Sequence, residues 1–143
     1  NNNNFKLPGK KITINMAPAD LRKEGAAYDL TLAMGILAAS KQIAFTDLAQ
    51  YMIMGELSLD GNVQPIKGAL PIAIKAKEEG FASFILPQKN AREAAIVEGL
   101  EVFAVDNIME VIDPFNGTKN TVSCCRFKCL KTFSTTKLFL YIQ

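Results

Sequence analysis

The side chains of this chain that could act as a nucleophile and its base are serines and lysines, because its 143 residues include no histidine. Histidine is the commonest general base near neutral pH and the commonest metal ligand. A serine–lysine pair works only where burial lowers the pKa of the lysine until it accepts the hydroxyl proton. The candidates do not meet this condition, since Ser40 is predicted at a helix end and Ser58 and Lys67 on exposed faces.

A phosphate-binding loop is the other chemistry that the residue spacing suggests. Gly61 and Lys67 have the spacing of such a loop, but Ile66 stands where its second glycine belongs. Gly68 also occupies the place of the Ser or Thr that follows the lysine. We therefore expect a hairpin that leads into a helix, with no nucleotide site and no cofactor in this chain.

Charge divides the chain into two parts. Residues 1–117 contain 11 Lys and Arg against 14 Asp and Glu, whereas residues 118–143 contain 5 against 0. The first part lacks the basic excess of a dedicated nucleic-acid-binding domain. Its candidates for contact with a partner or with nucleic acid are Lys10, Lys11, Arg22 and Lys23. The second part holds all three cysteines, Cys124, Cys125 and Cys129. They are fewer than the four Cys or His ligands of a structural zinc site, so we expect no metal.

Composition and length predict a single globular domain. The chain is 49% hydrophobic, yet it has no apolar run of about 18 residues that would span a membrane. Its N-terminus also lacks the charged-then-apolar order of a signal peptide, which favours the cytoplasm. A core of this size commonly serves one domain of roughly 100–200 residues.

The first half of the chain predicts a strand, a core helix and a hairpin. Alternation indicates a strand over residues 12–16, and a stretch that is apolar nearly all round indicates a buried helix over about 30–40, with Asp29 as its N-cap. A second alternating run over residues 53–60 leads into Asp60-Gly61. This dipeptide predicts a hairpin turn in which both central residues have φ > 0.

The second half predicts helices and strands in turn. After a short return strand over 62–66 come a helix over 68–79, a strand over 84–86, a helix that Gly99 ends, a strand over 101–105 and a last helix that stops at Asp113. Asparagines cap the last two helices, each with a glutamate in the capping-box position: Asn90 with Glu93, and Asn107 with Glu110. Strand, helix and strand with short links imply parallel pairing, so the predicted fold is α+β or mixed α/β.

Two motifs carry a resemblance to a known family. They are M-G-E-L-S-L-D-G-N-V-Q-P-I-K-G at residues 54–68 and A-P-A-D-L-R-K-E-G at residues 17–25. The arrangement resembles the proteolytic domain of Lon-type serine proteases. Its specific version is similar to the N-terminal, ChlI-type domain of magnesium-chelatase-like ATPases of the ComM/YifB type. The resemblance implies a fold like domain 2 of ribosomal protein S5 and the Lon proteolytic domain.

The same resemblance implies where a catalytic pair would lie. In Lon-type proteases a serine at the start of the core helix attacks the peptide, and a lysine on the next helix is its base. The register of the two motifs places these positions at Ala27 and Ile72. An alkyl side chain can neither attack a carbonyl group nor accept a proton. Lys75 does not replace the base, because three residues advance a helix by about 300°. We therefore expect no catalytic residue and no enzyme in this fragment.

The resemblance covers roughly residues 5–115, which sets the predicted domain bounds. Residues 1–117 form the Lon-like domain, in which the strands that precede this segment in the family are not found. Residues 118–143 form a tail without resemblance to the family, and it ends in the strand-like K-L-F-L-Y-I-Q. This tail is either appended or supplies a strand to an open sheet edge.

The resemblance implies a non-catalytic scaffold or adaptor domain of an AAA+ ATPase in DNA processing, during recombination or transformation. ATP and Mg²⁺ would bind in an ATPase module of the parent chain, outside this fragment. That module is the expected partner, with DNA and self-association through an open sheet edge as further candidates. Two alternatives stay open: the C-terminal Lon-like domain of a RadA-type DNA repair ATPase, and a peptidase with an unconventional site.

Overall fold

The computed structural model describes residues 9, 11–14, 26–43, 48–113 and 140–142. In these ranges a first strand and helix are followed by three strands, after which helices and strands alternate. The strands are β1 Ile12–Ile14, β2 Tyr51–Ile53, β3 Glu56–Leu57, β4 Val63–Gln64, β5 Ser83–Pro87, β6 Glu101–Val105 and β7 Leu140–Ile142. The helices are α1 Asp29–Ala39, α2 Ala69–Glu78, α3 Ala91–Ala94 and α4 Ile108–Ile112.

A parallel sheet of the order β2-β5-β6 forms the centre of the domain. Ile53, Ile85 and Phe103 lie side by side across its three strands. All five residues of β5 are buried, as expected for a parallel strand that is covered on both faces. The structure therefore confirms the predicted parallel pairing and the mixed α/β class.

Two apolar clusters lie on opposite faces of this sheet. Ile85 points to the face covered by α1 and α4, whereas its neighbours Phe84 and Leu86 point to the face covered by α2 and α3. The first core cluster contains Leu30, Met34, Leu37, Ile43, Ile53, Val63, Ile85, Val105, Ile108, Val111 and Ile112. The second contains Met54, Ile66, Ala69, Ala73, Ala76, Phe84, Leu86, Ala94, Leu100 and Val102.

The hairpin differs from its prediction in two ways. The strand predicted over residues 53–60 is two strands, β2 and β3, because buried Met54 and Gly55 interrupt it. The turn spans Ser58 to Gly61, whose N–H donates to the Ser58 carbonyl at 2.9 Å. Only Gly61 has a positive φ, at 89°, so the predicted positive φ at Asp60 is wrong. One glycine in the left-handed region is enough to bring the return strand back into register.

Helix ends confirm some predicted caps and correct others. The Asn107 side chain accepts from the Met109 N–H at 3.0 Å, so the predicted cap of α4 is confirmed. Gly80 follows α2 at φ 83°, as a helix-ending glycine does. Asp29, in contrast, is the first residue of α1 and not its cap. Asn90 is the N-cap residue of α3, as predicted, but its side chain makes no cap hydrogen bond, and α3 ends at Ala94, before Gly99.

The strand predicted at the end of the tail forms over Leu140–Ile142 and pairs antiparallel with β1. The pair β1-β7 is a two-stranded ladder apart from the parallel sheet. The rest of the tail, with Cys124, Cys125 and Cys129, lies outside the described residues. None of the described helices is both long and apolar enough to cross a membrane.

Candidate functional site

The position that the Lon resemblance assigns to a nucleophile lies in the turn that precedes α1. Ala27 belongs to a 3-10 turn over Ala26–Tyr28 and is half-buried. Its carbonyl accepts from the Gly55 N–H at 2.8 Å, and the Leu30 N–H donates to the Gly55 carbonyl at 3.0 Å. Two backbone hydrogen bonds thus attach the start of α1 to the segment between β2 and β3.

The position assigned to the base lies in the first turns of α2. Ile72 is half-buried and packs against the second core cluster. Ala27 packs against the same cluster. The structure therefore places both positions at the margin of one apolar cluster. Neither side chain has a nitrogen or oxygen atom, so this pair offers no acid, base or nucleophile.

Side chains from α3 and the turn before it position the loop that enters α2. The Ile66 N–H donates to Asn90 Oδ1, and Asn90 Nδ2 donates to the Ile66 carbonyl, both at 2.9 Å. Glu93 Oε1 accepts from the Leu70 N–H at 3.0 Å, in the first turn of α2. Gly68, at φ 74°, allows the tight entry to the helix. The two residues predicted to cap α3 therefore connect it to the α2 loop instead.

The hydroxyl groups that could replace the missing nucleophile are engaged locally. Ser40 donates to the Leu37 carbonyl at 3.1 Å and accepts from Gln42 at 2.7 Å. Ser58, which is half-buried, donates to the Asp60 carboxylate and lies 2.9 Å from the Asn62 carbonyl. Neither hydroxyl hydrogen-bonds to a lysine in the part of the chain that the structure describes.

The amines near α2 are unsuited to act as bases. Lys75 pairs with Glu79 at 2.9 Å and with Glu78 at 3.5 Å. The hydrogen bond and charge of Glu79 raise the pKa of Lys75, whereas a general base needs a lowered pKa. Lys67 is exposed, as predicted. It is separated from Gly61 by β4, so the residues present do not form a phosphate-binding loop.

Of the basic residues predicted to contact a partner, the structure describes one. Lys11 is exposed beside β1. Lys10, Arg22 and Lys23 lie outside the described residues. These four positions remain a prediction from the sequence.

A cleft of about 220 Å³, which was not predicted from the sequence, opens at the carboxyl ends of β5 and β6. In open sheets with parallel strands, this edge is the usual place for a ligand. The polar residues that directly follow each strand were the signal that could have indicated it. We call it the strand-end cleft; it is lined by Asn62, Val63, Gln64, Pro65, Pro87, Gln88, Lys89 and Asp106.

The hairpin turn beside this cleft holds a carboxylate with a perturbed pKa. The Ser58 hydroxyl donates to Asp60 and is the largest cause that lowers the pKa of Asp60 below its ordinary 3.8, with the Asn62 N–H next.

We expect Ser58→Ala to raise this pKa towards 3.8, and Ser40→Ala to leave it unchanged; an NMR titration of the Asp60 carboxyl measures both. Because the folded pKa is lowered, the stabilisation is present above the ordinary pKa and is lost as pH falls through the folded pKa. An unchanged pKa in Ser58→Ala would contradict this cause.

Gly55 allows the close approach of α1 and the hairpin. A Cβ at this residue would lie 2.7 Å from Val63 Cγ1 and 3.2 Å from Leu30 Cδ2. Both neighbours are buried, so neither can move away without disturbing the first core cluster. We expect Gly55→Ala to reduce the free energy of unfolding by about 1–3 kcal/mol, the usual cost of overpacking. Urea denaturation measures the loss, with Gly9→Ala as control because nothing lies within 4 Å of a Cβ there. Equal stability of the two variants would contradict the close approach.

Comparison with known proteins identifies the family of this chain. Residues 1–90 match the family model described as "Subunit ChlI of Mg-chelatase". The chain therefore belongs to the ChlI family of magnesium-chelatase subunits.

Particular relatives narrow this placement. Competence protein ComM of Haemophilus influenzae is 40% identical over 116 residues, which are 81% of this chain and 23% of the relative. The uncharacterized protein YifB of Escherichia coli is 39% identical over 110 residues, 77% of this chain and 22% of the relative. Lon protease 2 of Bacillus subtilis is 33% identical over 104 residues, 71% of this chain and 18% of that protease. The chain thus spans less than a quarter of the length of these relatives.

Proposed function

We propose that this chain is a non-catalytic scaffold or adaptor domain of a magnesium-chelatase-related AAA+ ATPase. One observation carries the proposal. The two positions that the Lon resemblance assigns to nucleophile and base, Ala27 and Ile72, hold alkyl side chains that pack against one apolar cluster. The domain keeps a protease-like arrangement of helices and hairpin and has hydrocarbon where the chemistry would take place.

The size of the expected catalytic loss supports this function. In a serine protease, removing the nucleophile or the base alone costs about as much as removing the whole set, roughly 10⁶-fold in rate. A chain that lacks both retains only what binding and orientation contribute. Ser40, Ser58 and Lys75 do not compensate, because their polar groups are engaged in local bonds.

The rest of the proposal concerns the longer protein to which this domain would belong. The match to the Mg-chelatase subunit and to ComM and YifB supports a parent that binds ATP and Mg²⁺ in a separate module. The similarity to ComM, a competence protein, supports a role in DNA processing during transformation. The same relatives favour this parent over the RadA type. The proposed domain has the fold of ribosomal protein S5 domain 2 and of the Lon proteolytic domain, and works in the cytoplasm with the ATPase module as its partner.

A labelling experiment tests the absence of catalysis. The purified chain is incubated with a fluorophosphonate probe and with fluorescently labelled unfolded casein, beside Lon protease 2 of Bacillus subtilis with ATP as positive control. We expect no labelled serine and no casein fragments from this chain. Labelling or cleavage that Ser40→Ala or Ser58→Ala abolishes would overturn the proposal. It would favour the second candidate, a peptidase with an unconventional site, which the 33% identity to that protease supports.

A further inference from the structure

The strand-end cleft is separate from the positions of the lost catalytic pair. Neither Ala27 nor Ile72 lines it. One wall is the return strand of the hairpin with Gln64 and Pro65, and the other is the segment after β5 with Pro87 to Lys89. Asp106, directly after β6, completes the lining. A ligand here would therefore be bound by groups that the protease chemistry does not use.

Hydrogen bonds connect the two walls before any ligand binds. The Val63 N–H donates to the Asp106 carbonyl at 2.8 Å. The Asn90 amide holds the Ile66 backbone by two bonds, one residue beyond the cleft on either wall. Asn107 donates to Asn62 Oδ1 at 3.1 Å, which attaches the hairpin to the start of α4. A site whose walls are already connected avoids part of the ordering cost of binding.

The polar side chains of the cleft are available to a ligand. Gln64, Gln88, Lys89 and Asp106 are all exposed. Within the described part of the chain, none of these four side chains has a hydrogen-bond or ion-pair partner. Two carboxamides offer donors and acceptors in pairs, as a peptide backbone does, and the exposed Pro65 provides apolar surface beside them.

Size and charge narrow the ligand class. The volume of about 220 Å³ is below the roughly 300–1,000 Å³ of sites for whole small molecules, so the cleft suits part of a longer chain. Lys89 and Asp106 balance each other in charge. The described residues carry 7 Lys and Arg against 11 Asp and Glu, which disfavours a phosphate backbone.

We propose that the strand-end cleft binds an extended peptide segment that carries one acidic and one basic side chain. Gln64 and Gln88 hydrogen-bond its backbone, Lys89 pairs with the acidic side chain and Asp106 with the basic one. The proposal extends the adaptor function proposed above, since it gives the domain a defined surface for a protein partner.

A peptide array followed by NMR tests this binding. The array holds acetylated, amidated alanine-based dodecapeptides with one Asp and one Lys at every pair of positions, and an uncharged alanine dodecapeptide as blank. The best peptide is then titrated into the ¹⁵N-labelled chain. We expect micromolar binding, with shift changes at Gln64, Gln88, Lys89 and Asp106. Gln64→Ala with Gln88→Ala should weaken it about tenfold or more, the effect of losing hydrogen bonds worth about 1 kcal/mol each. Gln50→Ala, another exposed glutamine, should change affinity less than twofold.

Charge reversal adds a second readout. In Lys89→Asp with Asp106→Lys, the array should prefer peptides with the opposite order of Asp and Lys. Shift changes confined to residues outside the cleft, no binding up to millimolar peptide, or stronger binding of the oligonucleotide dT20 at the cleft would each overturn the proposal. Mass spectrometry of the peptide after the titration separates the two proposals. A peptide that binds in the cleft and is cleaved contradicts the non-catalytic function but not the peptide site. A peptide that neither binds nor is cleaved contradicts the peptide site but not the non-catalytic function.

Discussion

Replacing Phe84 with alanine is expected to reduce the free energy of unfolding by about 3–5 kcal/mol, the usual cost of removing a buried phenylalanine. Phe84 is fully buried in β5, the central strand of the parallel sheet, between β2 and β6. Its side chain belongs to the second core cluster, where the buried residues of α2 are the small side chains Ala69, Ala73 and Ala76. Methyl groups on a fixed helix cannot move in to fill the volume of the ring, so a large cavity remains.

Urea denaturation of the wild type and of Phe84→Ala measures this loss. Phe81→Ala is the matched control, because Phe81 is half-buried and packs at the margin of the same cluster. We expect the control to lose clearly less than Phe84→Ala, since solvent already reaches part of its ring. Similar losses in the two variants would show that the ring of Phe84 is not the central packing element of this face.

Local patterns were sufficient to predict much of the fold. Helix α2 begins after Gly68 and ends before Gly80, and both glycines have the positive φ that such ends favour. The prediction that Asn107 caps α4 was also correct, because Asn107 and Met109, whose N–H donates to its side chain, are only two residues apart. Features of this kind depend on neighbours in the chain, which the sequence displays directly.

Some features that depend on distant residues were predicted wrongly. Asn90 and Glu93 have the spacing of a capping box, yet they bond to Ile66 and Leu70, more than twenty residues earlier in the chain. The same side-chain groups can satisfy their own helix or a neighbouring loop, and only the packing of α3 beside α2 decides between these outcomes. The strand over 53–60 failed for a similar reason, since buried Gly55 bonds to Ala27 and Leu30 rather than to a strand partner.

One part of the candidate site could be predicted from the sequence, and the other could not. The register of two motifs located Ala27 and Ile72, and the structure places both against one cluster. The strand-end cleft had no comparable pattern, because it is assembled from residues 62–65, 87–89 and 106. No motif of fixed spacing connects segments so far apart, and parallel strand order alone brings their ends to one edge.

Asn90→Ala is the second substitution with a large expected effect. Asn90 is 8% exposed and Ile66 is 7% exposed, so water cannot replace the amide freely. The variant leaves the N–H and the C=O of Ile66 without partners in a buried place. An unsatisfied buried polar group costs about 1–3 kcal/mol. For two such groups, partly relieved by local movement, we expect a loss of about 2–4 kcal/mol in the free energy of unfolding.

Hydrogen exchange separates the loss of this contact from a general loss of stability. In Asn90→Ala the Ile66 amide should lose more protection than the amides of β5, because its acceptor is gone while the strand ladder is intact. The control Gln88→Ala, an exposed residue two positions earlier, should change stability by no more than about 0.5 kcal/mol. If Ile66 keeps its protection in Asn90→Ala, the amide does not hold the α2 loop. Val63 and Asn62 would then attach the return strand to the residues after β6, and the amide would not connect the two walls of the strand-end cleft. The expected result, in contrast, makes one buried asparagine responsible both for the entry to α2 and for the shape of the cleft.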